Sequence, residues 1–564
     1  MLKKVKSFIS DIQGVFFLFL FSQGFPFLFY VWNNYHNKGV GYISEFEKML
    51  TGLIPVLGIF LGIGLIGYIL SKKHYKKILY FLIILNFIFN GIELGVYLNF
   101  AIQIVPEFFY IVFETNKNEA LEFVGSYCNW HLYIVLVYFL LGIIIYKSRD
   151  KFKGVLSRIF LFTIIPLIVY SSNIEGSLYM KKTHIFKSMY RSIKRYRGEM
   201  EDLKNIDSSF GKTYNKFTAI NNEKEATYVL IIGESFNRNH SSLYGYKRDT
   251  QPYLDSQVKS GNLYVFKDVI SPHYFTRETL KKLVTTTAWD NKIKFSNSIN
   301  LVDIMKKAGF KTYWLSNQED FAFKGASLSS VIHRADEVEF TESYYSDTKD
   351  KLMDEALLPL VDKISRDKNR KKFIVIHLFG SHREYIKRYP KEFTRYNLNE
   401  CPSFFSEIQK RNKEMVNAYD NSIYYNDFII KNIITKLEKT NPNMAVLYLS
   451  DHGQSLGEKI DYFGNLDPNR EPSGVEIPFM IWTSDTYKIN NRSIIENIKE
   501  SENKPYISED IIYTLVNLYN VNFSKEQENK SIINKNFKEK RRVVTERNET
   551  YEELRGKNEE NPNV

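Results

Sequence analysis

Residues 445–453, AVLYLSDHG, run as an apolar stretch straight into Asp451 and His452, where metal-ligating groups replace aliphatic ones. A carboxylate beside an imidazole is the chemistry of a divalent-cation site. Two other apolar runs stop in the same way, YVLIIGES at Glu234 and Ser235, and FIVIHLFGSH at Ser381 and His382. Ligands of open α/β sheets gather outside the carboxyl ends of the strands, so three such endings predict one shared site. Glu234, Asp451 and His452 offer two oxygens and an imidazole nitrogen, a set suited to zinc with a fourth position open. His382 stands where a second group could handle a phosphate or a proton. Each has a plainer reading: Asp-His pairs occur on solvated turns, and Glu234 could simply favour the start of a following helix.

The elements that must hold these residues follow from about residue 223. Short β-branched runs (YVLIIGES, TYWLSN, FIVIHLFG, AVLYLSDHG, IPFMIW) alternate with helical patterns at 299–308 and 410–439. That order predicts a mainly parallel sheet flanked by helices. From about 525 the chain is rich in Lys, Glu and Asn with too few apolar residues for a core, and reads as a charged tail or peripheral helix.

The N-terminal part is of another kind. Apolar stretches at 12–32, 51–70, 78–101, 130–146 and 157–171 are close to the ~20 residues that span a bilayer, although the last two are short. The first is too long for a signal peptide and lacks a small-residue cleavage site. Basic clusters at Lys3/Lys4/Lys6, Lys72/Lys73/Lys76/Lys77 and Lys147/Arg149/Lys151/Lys153 alternate with poorly basic loops, which places the N-terminus in the cytoplasm. Five crossings then put everything after about 172 on the outer side. The basic segment 181–197 runs against this. Its apolar residues, from Ile185 to Tyr196, recur at helical spacing, so it reads as an interfacial amphipathic helix, a solvated linker helix, or the sign of a miscounted span. The expected domains are 1–175 with five spans, 176–222 as bridging helices or linker, 223–524 as the catalytic domain, and 525–564 as the tail.

The net charge of +12 is scattered over short loops and the tail, and no nucleic-acid-binding motif accompanies it, so nucleic acid is not an expected partner. Two cysteines, Cys128 and Cys401, allow at most one disulfide and fit no zinc-finger spacing.

Taken in chain order, GESFNRNHSSLYGYKRDTQP (233–252), SPHYFT (271–276), GSHREYIKRYP (380–390) and SDHGQSLGE (450–458) resemble the signatures of the membrane-bound phosphoethanolamine transferases, members of the alkaline phosphatase and sulfatase superfamily. The resemblance runs in order through most of the chain, including ETNKNEA (114–120). It implies an N-terminal all-α bundle of five transmembrane helices followed by a C-terminal α/β sulfatase/alkaline phosphatase-like domain. It also implies Zn2+ held by Glu234, Thr276, Asp451 and His452, with Thr276 as the nucleophile that is covalently loaded. His382 becomes a catalytic neighbour, and Lys324, Thr115, Glu119 and Asn465 become substrate contacts. The implied donor is phosphatidylethanolamine and the acceptor lipopolysaccharide, at lipid A or a core sugar. The protein would be a monomer among the membrane lipids of a Gram-negative inner membrane, its catalytic domain in the periplasm.

Three departures qualify the likeness. Asn465 stands where lipid A-modifying members carry a second histidine, cysteine pairs are lacking, and Ile111 occupies a position that is often polar. Two other classes compete: a phosphoglycerol transferase or phosphatase-like hydrolase of the same superfamily, and a non-enzymatic membrane protein with a decayed domain. Intact ligand positions disfavour the second. A reporter fused after residue 210 is expected to be active only if it works in the periplasm; activity of a cytoplasm-dependent reporter there would overturn the odd span count.

Overall fold

A computed structural model describes residues 75–100, 130–148, 206–318, 328–341, 353–459, 462–465, 471–544 and 548–560, together with residue 194 and scattered positions between 18 and 29. The chain divides into two compact units, Met1–Tyr196 (with Asn563–Val564) and Arg197–Pro562.

In the first unit, helix α1 (Tyr75–Phe100) packs on helix α2 (Trp130–Lys147). The Tyr138 ring stacks on Phe87 at 4.7 Å between centroids, and its hydroxyl donates to the Phe87 carbonyl at 2.9 Å. Gly142 permits this approach, since a Cβ there would meet the Phe87 ring at 2.1 Å. On the outer surface Phe81, Tyr133 and Leu140 are exposed, an arrangement costly in water and natural in hydrocarbon. Among the described residues, Lys77–Leu98 is long and apolar enough to cross a membrane, and His131–Lys147 is a shorter apolar helix. Of the other expected spans, 12–32 contains scattered helical positions, while 51–70 and 157–171 lie outside the described residues, as does 181–197 apart from Lys194.

The second unit is built on a seven-stranded sheet. Its strands are β1 (Ala226–Gly233), β2 (Leu263–Val265), β3 (Lys311–Ser316), β4 (Glu337–Phe340), β5 (Lys371–His377), β6 (Met444–Ser450) and β7 (Phe479–Thr483), in the order β2-β7-β6-β1-β5-β3-β4. Neighbours from β6 through β4 are parallel. β7 is antiparallel to both β6 and β2. The sheet is mainly parallel, as expected, and antiparallel at one end, where IPFMIW runs in the opposite direction. The short edge strands β2 and β4 carry no pattern long enough to read from sequence.

Parallel strands bury both faces, and alternate residues of each strand enter different cores. Tyr228, Leu230 and Ile232 of β1 pack with helices α4 (Leu301–Lys307) and α7 (Ile511–Leu518) on one face. Val229 and Ile231 pack with α5 (Leu358–Ser365) and α6 (Lys413–Glu438) on the other. Helix α3 (Thr276–Leu283) adds Leu280 and Leu283 to the first core.

The C-terminal segment from 525 is more integrated than its composition predicts. Ile532 and Ile533 join the first core, and Val544, Tyr551 and Leu554 pack with Ile270, Tyr274 and Val475. A few well-spaced apolar residues suffice because the intervening charges are paired, Lys540 with Asp510 and Arg542 with Asp268. Leu230→Ala, at a fully buried site in the middle of the central strand, is expected to cost about 2–5 kcal/mol. A lowered midpoint in chemical denaturation checks this, and an unchanged midpoint would mean that the core does not depend on this side chain.

Candidate metal centre and active site

Strand register brings the site together. Gly233 of β1 lies opposite Ser450 of β6, Ile232 opposite His377 of β5, and Ser316 of β3 also opposite His377, so four adjacent strands end at one level. Glu234 follows β1 directly, Asp451 and His452 follow β6, and the loop to His382 follows β5. Ligand atoms of Glu234, Asp451 and His452 lie within 4.8 Å of one another, and all three side chains are buried.

Thr276 completes the group from α3, of which it is the first residue. Its hydroxyl donates to Glu234 Oε2 at 3.1 Å and lies 3.3 Å from His452 Nε2. That nitrogen is also 3.3 Å from Glu234 Oε1 and 3.4 Å from Asp451 Oδ2. His452 Nδ1 lies 2.7 Å from the Gly453 carbonyl, to which it donates, so the ring presents Nε2 to the carboxylates. The Asp451 carboxylate accepts from the backbone N–H groups of Ser235 at 3.1 Å and His452 at 2.7 Å through Oδ1. Its Oδ2 is buried and has no hydrogen-bond partner among the described residues.

Backbone geometry makes this proximity possible. Ser235 adopts a left-handed φ of 58°, uncommon for a residue with a side chain, and its hydroxyl donates to Glu234 Oε1 at 2.7 Å. Through this bond it braces Glu234. Gly380, at φ 53°, lets the β5 loop pass against Glu234, where a Cβ would meet backbone atoms at 2.8 and 2.9 Å.

The electrostatics are those of a site short of positive charge. Burial works against the Glu234 carboxylate, but the hydrogen bond and charge of His452, with the charge of His382, hold it well below the usual range. Asp451 is pushed up to about 7 by burial and by the Glu234 charge. Burial disfavours the charged His452 ring, yet Asp451 and Glu234 raise it to about 9. Two hard oxygens, one orphaned, and an imidazole nitrogen at such spacing fit a divalent cation.

Other sequence-predicted residues fall around this group. Asn465 returns to it through a two-stranded hairpin in which Phe463 pairs with Leu456 and Gly464 with Ser455. Its amide nitrogen donates to the Tyr274 carbonyl at 3.0 Å and lies 3.0 Å from His452 Nε2. His382 is half-buried in the β5 loop, its ring stacked on Phe379 at 5.1 Å. Lys324, Thr115 and Glu119 lie outside the described residues. Sequence reasoning missed Gln318, whose amide donates to Glu234 Oε2 at 3.1 Å and to the Leu378 carbonyl at 3.0 Å. Its place just after TYWLSN, another strand ending, was the available signal. Also missed was Ser271, whose hydroxyl donates to the Asp451 carbonyl at 2.6 Å.

Comparison with known proteins agrees with this architecture. Residues 226–521 match the sulfatase family. The chain is 25% identical over 539 residues to phosphoethanolamine transferase EptC of Escherichia coli K12, covering 89% of this chain and 92% of that one. The zinc-complexed crystal structure of the C-terminal periplasmic domain of Escherichia coli EptC superposes with a TM-score of 0.55 at 27% identity, covering 62% of this chain and 98% of that domain. The integral membrane lipooligosaccharide phosphoethanolamine transferase A of Neisseria meningitidis shares the fold over 92% of this chain and 97% of its own, with a TM-score of 0.65 at 21% identity. With strand-end carboxylates and histidine on a sheet of this topology, and a family match across more than half its length, this chain belongs to the sulfatase family.

Proposed function

We propose that the protein transfers phosphoethanolamine from a phosphatidylethanolamine-type donor to an envelope acceptor, lipid A or a core sugar of lipopolysaccharide, by way of a phosphorylated Thr276. The observation that carries the reading is the Thr276 hydroxyl at 3.1 Å from Glu234 and 3.3 Å from His452, beside an orphaned Asp451 oxygen. The likeness to phosphoethanolamine transferases over 89% of the chain supports the choice of headgroup. Glu234, Asp451, His452 and Thr276 would hold the metal, with Zn2+ the ion favoured by a mixed oxygen and imidazole set. A bound divalent cation supplies charge to offset the phosphate and acidifies a hydroxyl in its coordination sphere.

The chain's own residues account for the rest. Thr276 Oγ1 gives up its proton and attacks phosphorus, an Oγ1–P bond forms, and the P–O bond to diacylglycerol breaks, the leaving oxygen taking up a proton in exchange. In the second half the acceptor hydroxyl loses its proton and attacks the same phosphorus, and the Oγ1–P bond breaks with Oγ1 regaining a proton. His382 is proposed to transfer the proton at one of these oxygens, and Gln318 and Ser235 hydrogen-bond Glu234. Lys324, Thr115, Glu119 and Asn465 are proposed substrate contacts. The active site would face the periplasm from an inner-membrane anchor of five spans.

Thr276→Ala is expected to retain metal and lose transfer by at least about 1,000-fold, read by mass spectrometry of lipid A and core; undiminished transfer would reject Thr276 as nucleophile. Metal affinity is expected to rise with pH. Asp451 at about 7 and His452 at about 9 sit above their ordinary values, so each carries a proton at low pH that must leave before the ion binds. From about pH 8 to 7 the affinity should fall on the order of tenfold per unit, as His452 alone carries the extra proton, and more steeply, toward about a hundredfold per unit, below about 7 where Asp451 is protonated too, read by chelator competition. A flat profile would mean that this pair does not ligate the ion.

A further inference from the structure

Behind the ligand loops lies a second cluster of buried charge that the proposed reaction does not use. His240 Nδ1 is 2.7 Å from Asp420 Oδ1, and its Nε2 is 3.6 Å from Glu458 Oε1. Arg248 donates to Asp420 Oδ2 at 2.7 Å, and the Tyr246 hydroxyl donates to the same oxygen at 2.9 Å. His240 and Asp420 are 1% and 0% exposed, so these charges meet with little help from solvent. Burial disfavours a charged His240, but Asp420 and Glu458 raise it to about 9, which keeps the ring cationic at neutral pH.

The members come from three elements that must agree for the metal centre to form. His240 closes the loop that starts at Glu234, Glu458 closes the loop that starts at Asp451, and Asp420 belongs to α6. Asn237 ties the same loops together, donating to the Gln454 carbonyl at 2.8 Å and to Glu458 Oε1 at 2.7 Å. Next to Asp420, the Tyr419 hydroxyl donates to the Ser235 carbonyl at 2.7 Å and accepts from the Asn237 N–H at 2.8 Å.

We propose that His240 is a positioning residue for the metal centre, clamped between Asp420 and Glu458 so that the loop carrying Glu234 is fixed against the loop carrying Asp451 and His452. This rests on the metal-site reading above. Groups that orient ligands typically contribute 10- to 100-fold in metal affinity. Among the described residues no hydrogen bond or ion pair joins His240, Asp420 or Glu458 to Thr276, so the effect should fall on kcat and leave KM unchanged.

The test uses the full-length protein in detergent, with zinc affinity measured by chelator competition beside kinetics. His240→Gln is expected to weaken zinc about 10- to 100-fold and to lower kcat at constant KM. Glu458→Gln opens the clamp from its partly exposed side and should act in the same direction, which covers a His240 variant that fails to fold. Wild-type zinc affinity in a folded His240→Gln or Glu458→Gln protein overturns the proposal, even with a lowered melting temperature, because that pattern is packing alone. Asp451→Ala separates the two readings. If it abolishes tight zinc binding while the clamp variants bind normally, only the positioning role falls; if it too binds zinc like the wild type, the metal site itself is wrong.

Discussion

Two carboxylates and an imidazole lie within 4.8 Å of one another in a buried site, and much of the surrounding structure serves to hold that crowded arrangement in place. Like charges at this spacing in a low dielectric repel strongly, so one carboxyl is driven up while the other is held down by neighbouring histidines. The cluster can persist only where the backbone leaves it no way to spread. Register of the parallel strands, the left-handed Ser235 and the close passage of Gly380 provide that confinement. A divalent cation placed among these atoms would offset the crowded negative charge.

Helix α6 has a part in this beyond filling the second core. Its apolar face packs beneath the sheet, while Tyr419, Asp420 and Ser422 reach the loops after β1 and β5. One rigid helix thus indexes loops that arise from strands far apart in sequence. Thr276 is placed differently: it opens α3, whose Leu280 and Leu283 anchor the helix in the first core, so it reaches the strand-end residues from that face of the sheet.

Membership in the sulfatase family describes the C-terminal scaffold, and among the described residues the N-terminal unit adds a helix long and apolar enough to cross a membrane. Asn465 reaches the ligand group from the hairpin, its amide donating to the Tyr274 carbonyl and adjoining His452, so an uncharged side chain borders the imidazole there.

The strand endings at Glu234, His382 and Asp451-His452 were legible because three apolar runs stop at polar, ligand-type residues in the same way, a repetition that a solvated turn or a helix start explains only one at a time. The helices at 301–307 and 413–438 showed in the same way through periodicity. What was not legible depended on contacts between distant segments. Gln318, Ser271 and the His240–Asp420–Glu458 clamp are ordinary polar residues until the fold sets them beside the ligands. Edge strands β2 and β4 are too short to carry a period, and the C-terminal segment looked like a tail because its charges find partners only in three dimensions. The sequence by itself determined which chemistry is available and on which strands, since residue type and hydrophobic period are local properties. Tertiary structure decided which of those groups share one site and what holds them there, because distance and burial arise only when the strands align.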